Sequence, residues 1–128
     1  MSRKSKGINA ERELIHLFWK NGWAATRVAG SGAIKYPTPD IVAGIQTRKL
    51  AVECKSTKDT SYYFTKEEVD QLKEFSEKFG AEPWLAIRFN GMKWFFFNPE
   101  DLRETEKSLM ISLEYAKTKG LLFEEVIK

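Results

Sequence analysis

The sequence predicts an α/β fold in which a mixed, five-stranded sheet carries a helix on each face. Two stretches place apolar residues at a helical period and end at a glycine. Five short runs rich in β-branched and aromatic residues surround them. Asn90-Gly91, between the last two of these runs, is a strong hairpin signal. The order is therefore helix, three strands, helix, two strands, and such an arrangement buries every apolar stripe.

The first helix is predicted over residues 8–20, where Ile8, Leu14, Ile15, Phe18 and Trp19 form one stripe and Asn21-Gly22 supplies the stop. Trp23 to Val28 reads as a strand. Residues 29–39 hold two glycines, a serine and two prolines, which mark a loop. Asp40–Ile45 and Leu50–Ser56 read as two strands joined by a polar turn. Thr65 opens the second helix, with Glu68 three positions on at capping-box spacing. Val69, Leu72, Phe75 and Phe79 supply its buried stripe, and Gly80 its end. Pro83–Phe89 and Met92–Phe97 complete the five strands, and Asn98-Pro99 begins a short turn. Near the C-terminus, a short strand over Leu109–Leu113 and a helix over Leu121–Ile127 are expected.

Length and composition bound the function. The chain has 128 residues, enough for one domain spanning 1–128 and for a core that needs no disulfide or structural metal. Hydrophobic residues make up 42% and charges are mixed, which argues against disorder. A single cysteine excludes an intramolecular disulfide and a Cys-rich zinc site. No apolar stretch reaches transmembrane length and no signal-peptide core is visible, so a cytoplasmic protein without a membrane partner is expected. The net charge of +3 is uneven: residues 1–35 carry +5 and the remainder −2. A polyanion would meet the N-terminal third first, although charge alone is equally consistent with a solvated basic end.

The third strand carries the chemistry. Side chains alternate along it, so Leu50, Val52 and Cys54 point to one face while Ala51, Glu53 and Lys55 point to the other. The short turn before it makes the second strand antiparallel, which sets Asp40 beside Glu53. Two carboxylates and an ammonium converging on a sheet suit phosphodiester hydrolysis. Hard carboxylate oxygens favour Mg²⁺, with Mn²⁺ as substitute. Lys55 is placed to orient or deprotonate an attacking water, or to stabilise developing charge. The competing reading is a surface ion pair worth at most about 1 kcal/mol.

Five segments in order resemble the archaeal-type Holliday junction resolvases, members of the PD-(D/E)xK nuclease superfamily with similar relatives in phages. They are Gly7-x-x-Ala10-Glu11-Arg12-Glu13-Leu14, Arg27-Val28-Ala29-Gly30-Ser31-Gly32, Pro39-Asp40-Ile41-Val42-Ala43-Gly44, Val52-Glu53-Cys54-Lys55, and Glu74-Phe75-Ser76 with Phe79-Gly80-Ala81. The resemblance implies a restriction-endonuclease-like fold and a homodimer that nicks opposing strands of a four-way DNA junction. It implies that Glu11 joins Asp40 and Glu53 as metal ligands, that Lys55 stabilises the transition state, and that Ser31 takes part in cleavage. By the same token Arg3, Lys4, Lys6, Arg12 and Arg27 contact the DNA backbone. A prokaryotic or phage-infected cytoplasm follows, and a partnership with replication or recombination proteins stays open. Another nuclease of the superfamily, of restriction or repair type, and a non-catalytic DNA-binding module are the alternatives.

The remaining side chains have simpler expectations. His16, off the first stripe, reads as a surface residue, and Cys54 as a small core residue. Half of Trp94–Phe97 belongs to the core by alternation, and the rest, with Trp84, is a candidate dimer surface. Tyr62, Tyr63 and Phe64 are expected to pack on the sheet, with base stacking as the other possibility.

Overall fold

The computed structural model of the chain describes residues 3–30, 35–102 and 108–128. Helix α1 (Arg3–Lys20) leads into three antiparallel strands, β1 (Ala24–Arg27), β2 (Ile41–Ile45) and β3 (Arg48–Thr57). Next come β4 (Ser61–Thr65) and helix α2 (Lys66–Phe79), which return the chain to β5 (Glu82–Phe89). Strand β5 lies parallel to β3, from Leu50↔Glu82 to Thr57↔Phe89. A hairpin then leads to β6 (Trp94–Phe97), and a 3₁₀ turn follows at Pro99–Asp101. The chain continues with β7 (Ser108–Ser112), helix α3 (Leu113–Lys119), β8 (Leu121–Leu122) and the single turn α4 (Phe123–Val126).

Six strands form the main sheet in the order β1-β2-β3-β5-β6-β8, and β4 pairs with β7 as a separate ribbon. The expected mixed sheet with helices on both faces is present. Its sixth strand is the two-residue β8, which pairs with Phe95 and Phe96 of β6. The C-terminal segment expected as one helix is therefore this short strand followed by α4. Strand β4 falls where no strand was expected, because its partner β7 lies more than 40 residues away along the chain.

Local signals set several boundaries. Thr65 and Glu68 form both halves of a capping box, and Gly80 ends α2 at φ 80°. Asn90 and Gly91 adopt φ of 30° and 77°, as a tight hairpin turn requires.

The central strand β3 is buried from both sides. Leu50, Val52 and Cys54 pack with Leu14, Phe18 and Trp23 beneath α1. Ala51 packs with Leu72, Leu85, Ile87 and Leu109 beneath α2 and the β4–β7 ribbon. Phe64 is fully buried in this second layer, whereas Tyr63 faces outward. Two expectations need correction. Trp94, Phe95, Phe96 and Phe97 are all buried, and so is Trp84, because both faces of β6 are covered. They offer no dimer surface. Phe79 is 50% exposed rather than buried: it stacks on Phe75 at 5.0 Å and lines an open groove with Trp19, Ala24 and Val42.

Arg48 ties the C-terminus to the sheet. It donates two hydrogen bonds of 2.8 Å to Glu82 and others to the carbonyls of Val126 (2.9 Å) and Lys128 (3.4 Å). Its guanidinium also sits 5.4 Å from the Trp23 ring centroid. Gly120, between α3 and β8, has no room for a side chain: a Cβ there would stand 2.6 Å from the Ala116 carbonyl and 3.1 Å from Phe95.

Candidate active site

Asp40 stands one step before β2 and continues its ladder. Its N–H donates to Val52 O at 3.1 Å, and its carbonyl accepts from Val28 N–H at 2.8 Å. The register Ile41↔Val52 therefore brings Asp40 opposite Glu53. The Asp40 Oδ2 atom also accepts the Cys54 N–H at 2.9 Å, so backbone geometry fixes the orientation of this carboxylate.

Glu53 shares a hydrogen bond with Asp40, and its carboxyl pKa is pushed up to about 9. Burial is the main cause, followed by the Asp40 charge and the hydrogen bond, while Lys55 opposes them. Glu11, on α1, is raised by burial and by Asp40, against the pull of Arg27 and Lys55. Arg27 Nη1 lies 3.9 Å from Glu11 Oε2, beyond hydrogen-bond range. Among the described residues, Glu11 Oε2 and Glu53 Oε1 are both buried with no hydrogen-bond donor. A buried carboxylate oxygen without a donor is costly unless something positive completes its environment.

Lys55 lies beyond Glu53 on the same face. Desolvation alone would lower its ammonium pKa, but Tyr62, Glu68, Glu53 and Asp40 outweigh it and leave the group raised. Its Nζ stands 3.5 Å from Glu68 Oε2. Spacing marks Glu68 only as a helix cap, because nothing in the sequence tells which way the first turn of α2 faces.

These orphaned oxygens test whether the residues fit a metal. Two hard acceptor oxygens without donors, on carboxyls that burial keeps from ionising readily, are what a divalent cation would satisfy. Among the described residues no three His, Cys, Asp or Glu side chains form a finished cage. The residues fit a hard divalent cation that completes its shell with water and phosphate oxygens.

The other candidates are distributed around this centre. Arg12 is exposed beside Glu11, and Arg27 is half-buried against it. Ser31 and the side chains of Arg3, Lys4 and Lys6 lie outside the described residues. His16 is exposed and Cys54 is buried, as expected. Burial, then Asp40 and its acidic neighbours, raises the Cys54 thiol well above its ordinary range. No helix among the described residues is long and apolar enough to cross a membrane.

An Asp entering one strand, Glu-x-Lys on its antiparallel neighbour and a helix-borne Glu beside them make up the arrangement of PD-(D/E)xK nucleases. Comparison with known proteins narrows the class. Residues 2–128 match the family model described as archaeal Holliday junction resolvase (hjc), and the chain belongs to that family. It is 43% identical over 129 residues to the crossover junction endodeoxyribonuclease Hjc of Archaeoglobus fulgidus, covering 95% of each chain. The enzyme of the same name from Methanocaldococcus jannaschii is 41% identical over 122 residues, which span 95% of this chain and 86% of that one. The 1.6 Å structure of Archaeoglobus fulgidus Hjc, a Holliday junction resolvase from a hyperthermophile, matches with a TM-score of 0.87 at 42% identity. That match covers 93% of this chain and 96% of the other. The resemblance drawn from the five sequence segments is borne out.

Proposed function

We propose that this chain is a structure-selective endodeoxyribonuclease that resolves four-way DNA junctions, using Mg²⁺ and acting as a homodimer of single nuclease domains spanning residues 1–128. The observation that carries the site assignment is the contact of Asp40 with Glu53, beside Lys55, with acidic oxygens left unsatisfied. Glu11, Asp40 and Glu53 would hold the metal, and Mn²⁺ would serve in place of Mg²⁺. When bound, such an ion supplies Lewis-acid stabilisation of phosphate oxygens and a more acidic water.

The chain's own groups do the remaining work. The Cys54 N–H keeps Asp40 aimed, so its orientation is set before substrate arrives. Lys55 brings a fixed positive charge to the phosphate as negative charge grows on its oxygens. Arg27 offsets the charge of Glu11 and is partly open to solvent, where it can also meet the DNA backbone. Exposed Arg12 extends this phosphate-binding surface, and Arg3, Lys4 and Lys6 are retained as DNA contacts on the strength of the family pattern. Ser31 is retained as a cleavage residue on the strength of the family pattern. Recognition is of junction shape and phosphate position, with little reading of base edges. Such an enzyme works in the cytoplasm of a prokaryotic or phage-infected cell.

Two nicks on opposing strands call for two centres related by a two-fold axis. Trp19, Ile45 and Phe79, exposed around one apolar groove with Ala24 and Val42, offer a face for a second copy.

The test uses an immobile four-way junction labelled on each strand in turn, with wild type and Asp40→Asn, in Mg²⁺ and in EDTA. Paired nicks should vanish in EDTA and fall by about 10²–10³ in Asp40→Asn while junction binding persists. Equal cutting of linear duplex would point to a general nuclease, and binding with no cutting in any metal to a binding module.

A further inference from the structure

We infer that Glu68, reaching back from the first turn of α2, is a positioning residue that holds Lys55 at the acidic centre, with Tyr62 as its helper. The inference rests on the nuclease reading of that centre. A lysine side chain has four rotatable bonds and loses rotamer entropy when it is fixed. A free ammonium on β3 would sample many positions, few of them useful for stabilising a phosphate. Three contacts narrow that range.

The first is the ion pair of Lys55 Nζ with Glu68 Oε2 at 3.5 Å, whose side chains are 32% and 29% exposed. Water therefore screens it less than it would a fully exposed pair. The second is the way Glu68 itself is held. Its Oε1 accepts the Thr65 N–H at 3.3 Å and the Thr65 hydroxyl at 3.1 Å, while the Glu68 N–H donates to Thr65 Oγ1 at 3.0 Å. One carboxylate oxygen is thus spent on capping the helix and the other is aimed at Lys55. The third is Tyr62, which packs edge-on to Phe64 at 5.0 Å and brings its phenol close enough to Lys55 to couple with its charge. Asp40 and Glu53 attract the ammonium on one side, and Glu68 with Tyr62 on the other. The capping box thereby fixes the start of α2 and the placement of Lys55 together.

Two substitutions separate these duties. Glu68→Gln preserves the cap, since glutamine serves at that position, and removes only the charge. Thr65→Ala removes the cap and leaves the charge. Each is compared with wild type for single-turnover junction cleavage, junction affinity and Tm, and Lys55 side-chain order is followed by ¹³Cε relaxation on the full chain. Glu68→Gln should cleave about tenfold or more slowly, the size typical of losing a partner that orients a site residue. Its junction Kd should stay within a factor of about two, its Tm within about 2 °C, and Lys55 should become more mobile. Thr65→Ala should lower Tm by several degrees through loss of the cap, and should slow cleavage less than Glu68→Gln does, because it loosens Glu68 without removing its charge.

Wild-type cleavage by Glu68→Gln with Lys55 still ordered overturns the inference. Should Glu68→Gln fail to fold, Tyr62→Phe keeps the ring on Phe64, and Lys55 as ordered as in wild type there would equally overturn it. Should wild type cut nothing in any divalent metal, the nuclease reading fails. The relaxation data then decide alone: unchanged Lys55 order in Glu68→Gln overturns the positioning role, and greater mobility upholds it.

Discussion

Replacing Arg48 with methionine should release the C-terminal segment from the sheet and lower stability substantially. Arg48 makes a bidentate contact with Glu82, donates to two carbonyls near the chain's end and stacks beside Trp23. The pair is not deeply buried, at 27% and 40% side-chain exposure, so its ionic part is discounted to about 1 kcal/mol. The carbonyl contact to Val126 adds about 1 kcal/mol and the Trp23 contact about 0.5 kcal/mol. Methionine keeps much of the apolar stem, so about 2.5 kcal/mol is at stake, or some 8–10 °C in Tm for a chain of this size. Arg48 holds the Glu82 carboxyl below its usual range, chiefly through their hydrogen bond. A depressed carboxyl stabilises the fold above its unfolded pKa, near 4.5, and that contribution is lost as pH falls through the lowered value. Circular-dichroism melts of wild type, Arg48→Met, Glu82→Gln and the double variant should therefore show a clear interaction energy at pH 7.5 that shrinks as the medium is acidified below pH 4.5. A shift under about 2 °C for Arg48→Met, or independent effects of the two substitutions at pH 7.5, would refute the clamp.

Three further outcomes follow from the same geometry. Glu53 keeps its proton in the fold up to about pH 9, while an unfolded glutamate ionises near 4.5. Between those values the folded state holds more protons, so the metal-free protein should lose stability as pH rises, by at most about 1.4 kcal/mol per pH unit. Urea midpoints from pH 5.5 to 9 should show this slope flattened in Glu53→Gln, and equal slopes would argue against it. Gly120→Ala forces a methyl against the Ala116 carbonyl and Phe95 and should cost about 1–3 kcal/mol, read as a drop in Tm. Phe79→Glu puts a charge on the exposed apolar face and should shift the sedimentation profile from dimer to monomer while the monomer stays folded. An unchanged dimer would move the interface elsewhere.

Much of this architecture was legible because it is local. The β3 alternation separates Leu50, Val52 and Cys54 from Glu53 and Lys55 without reference to any other segment. The short turn to β2 then dictates that Asp40 faces Glu53. Thr65 with Glu68, Asn90 with Gly91, and Asn98 with Pro99 each announce a boundary within four residues. What stayed hidden depends on distant parts of the chain. Strand β4 exists because β7 pairs with it, and no window around Tyr62 contains that partner. The Trp94–Phe97 run looked too apolar for one sheet face because it serves two. Phe79 has the right period to be buried, but nothing near it in the sequence tells that it opens on a groove shared with Trp19 and Val42. The contact between Glu68 and Lys55 requires the angle at which α2 leaves the β4–β7 ribbon, which no spacing encodes.

The parallel pairing of β3 with β5 has a consequence for when the nuclease comes alive. That pairing cannot close until β4 and α2 have crossed over, and Asp40 and Glu11 arrive from segments on the other side of β3. Asp40 meets Glu53 across a short hairpin, but the β3–β5 ladder and the approach of Glu11 join segments far apart along the chain and form later, because loop-closure entropy is lost before either is gained. A chain that has not closed the β3–β5 ladder therefore lacks the complete acidic centre, even where its hairpin has formed. In the proposed nuclease, cleavage is then a report that folding is complete.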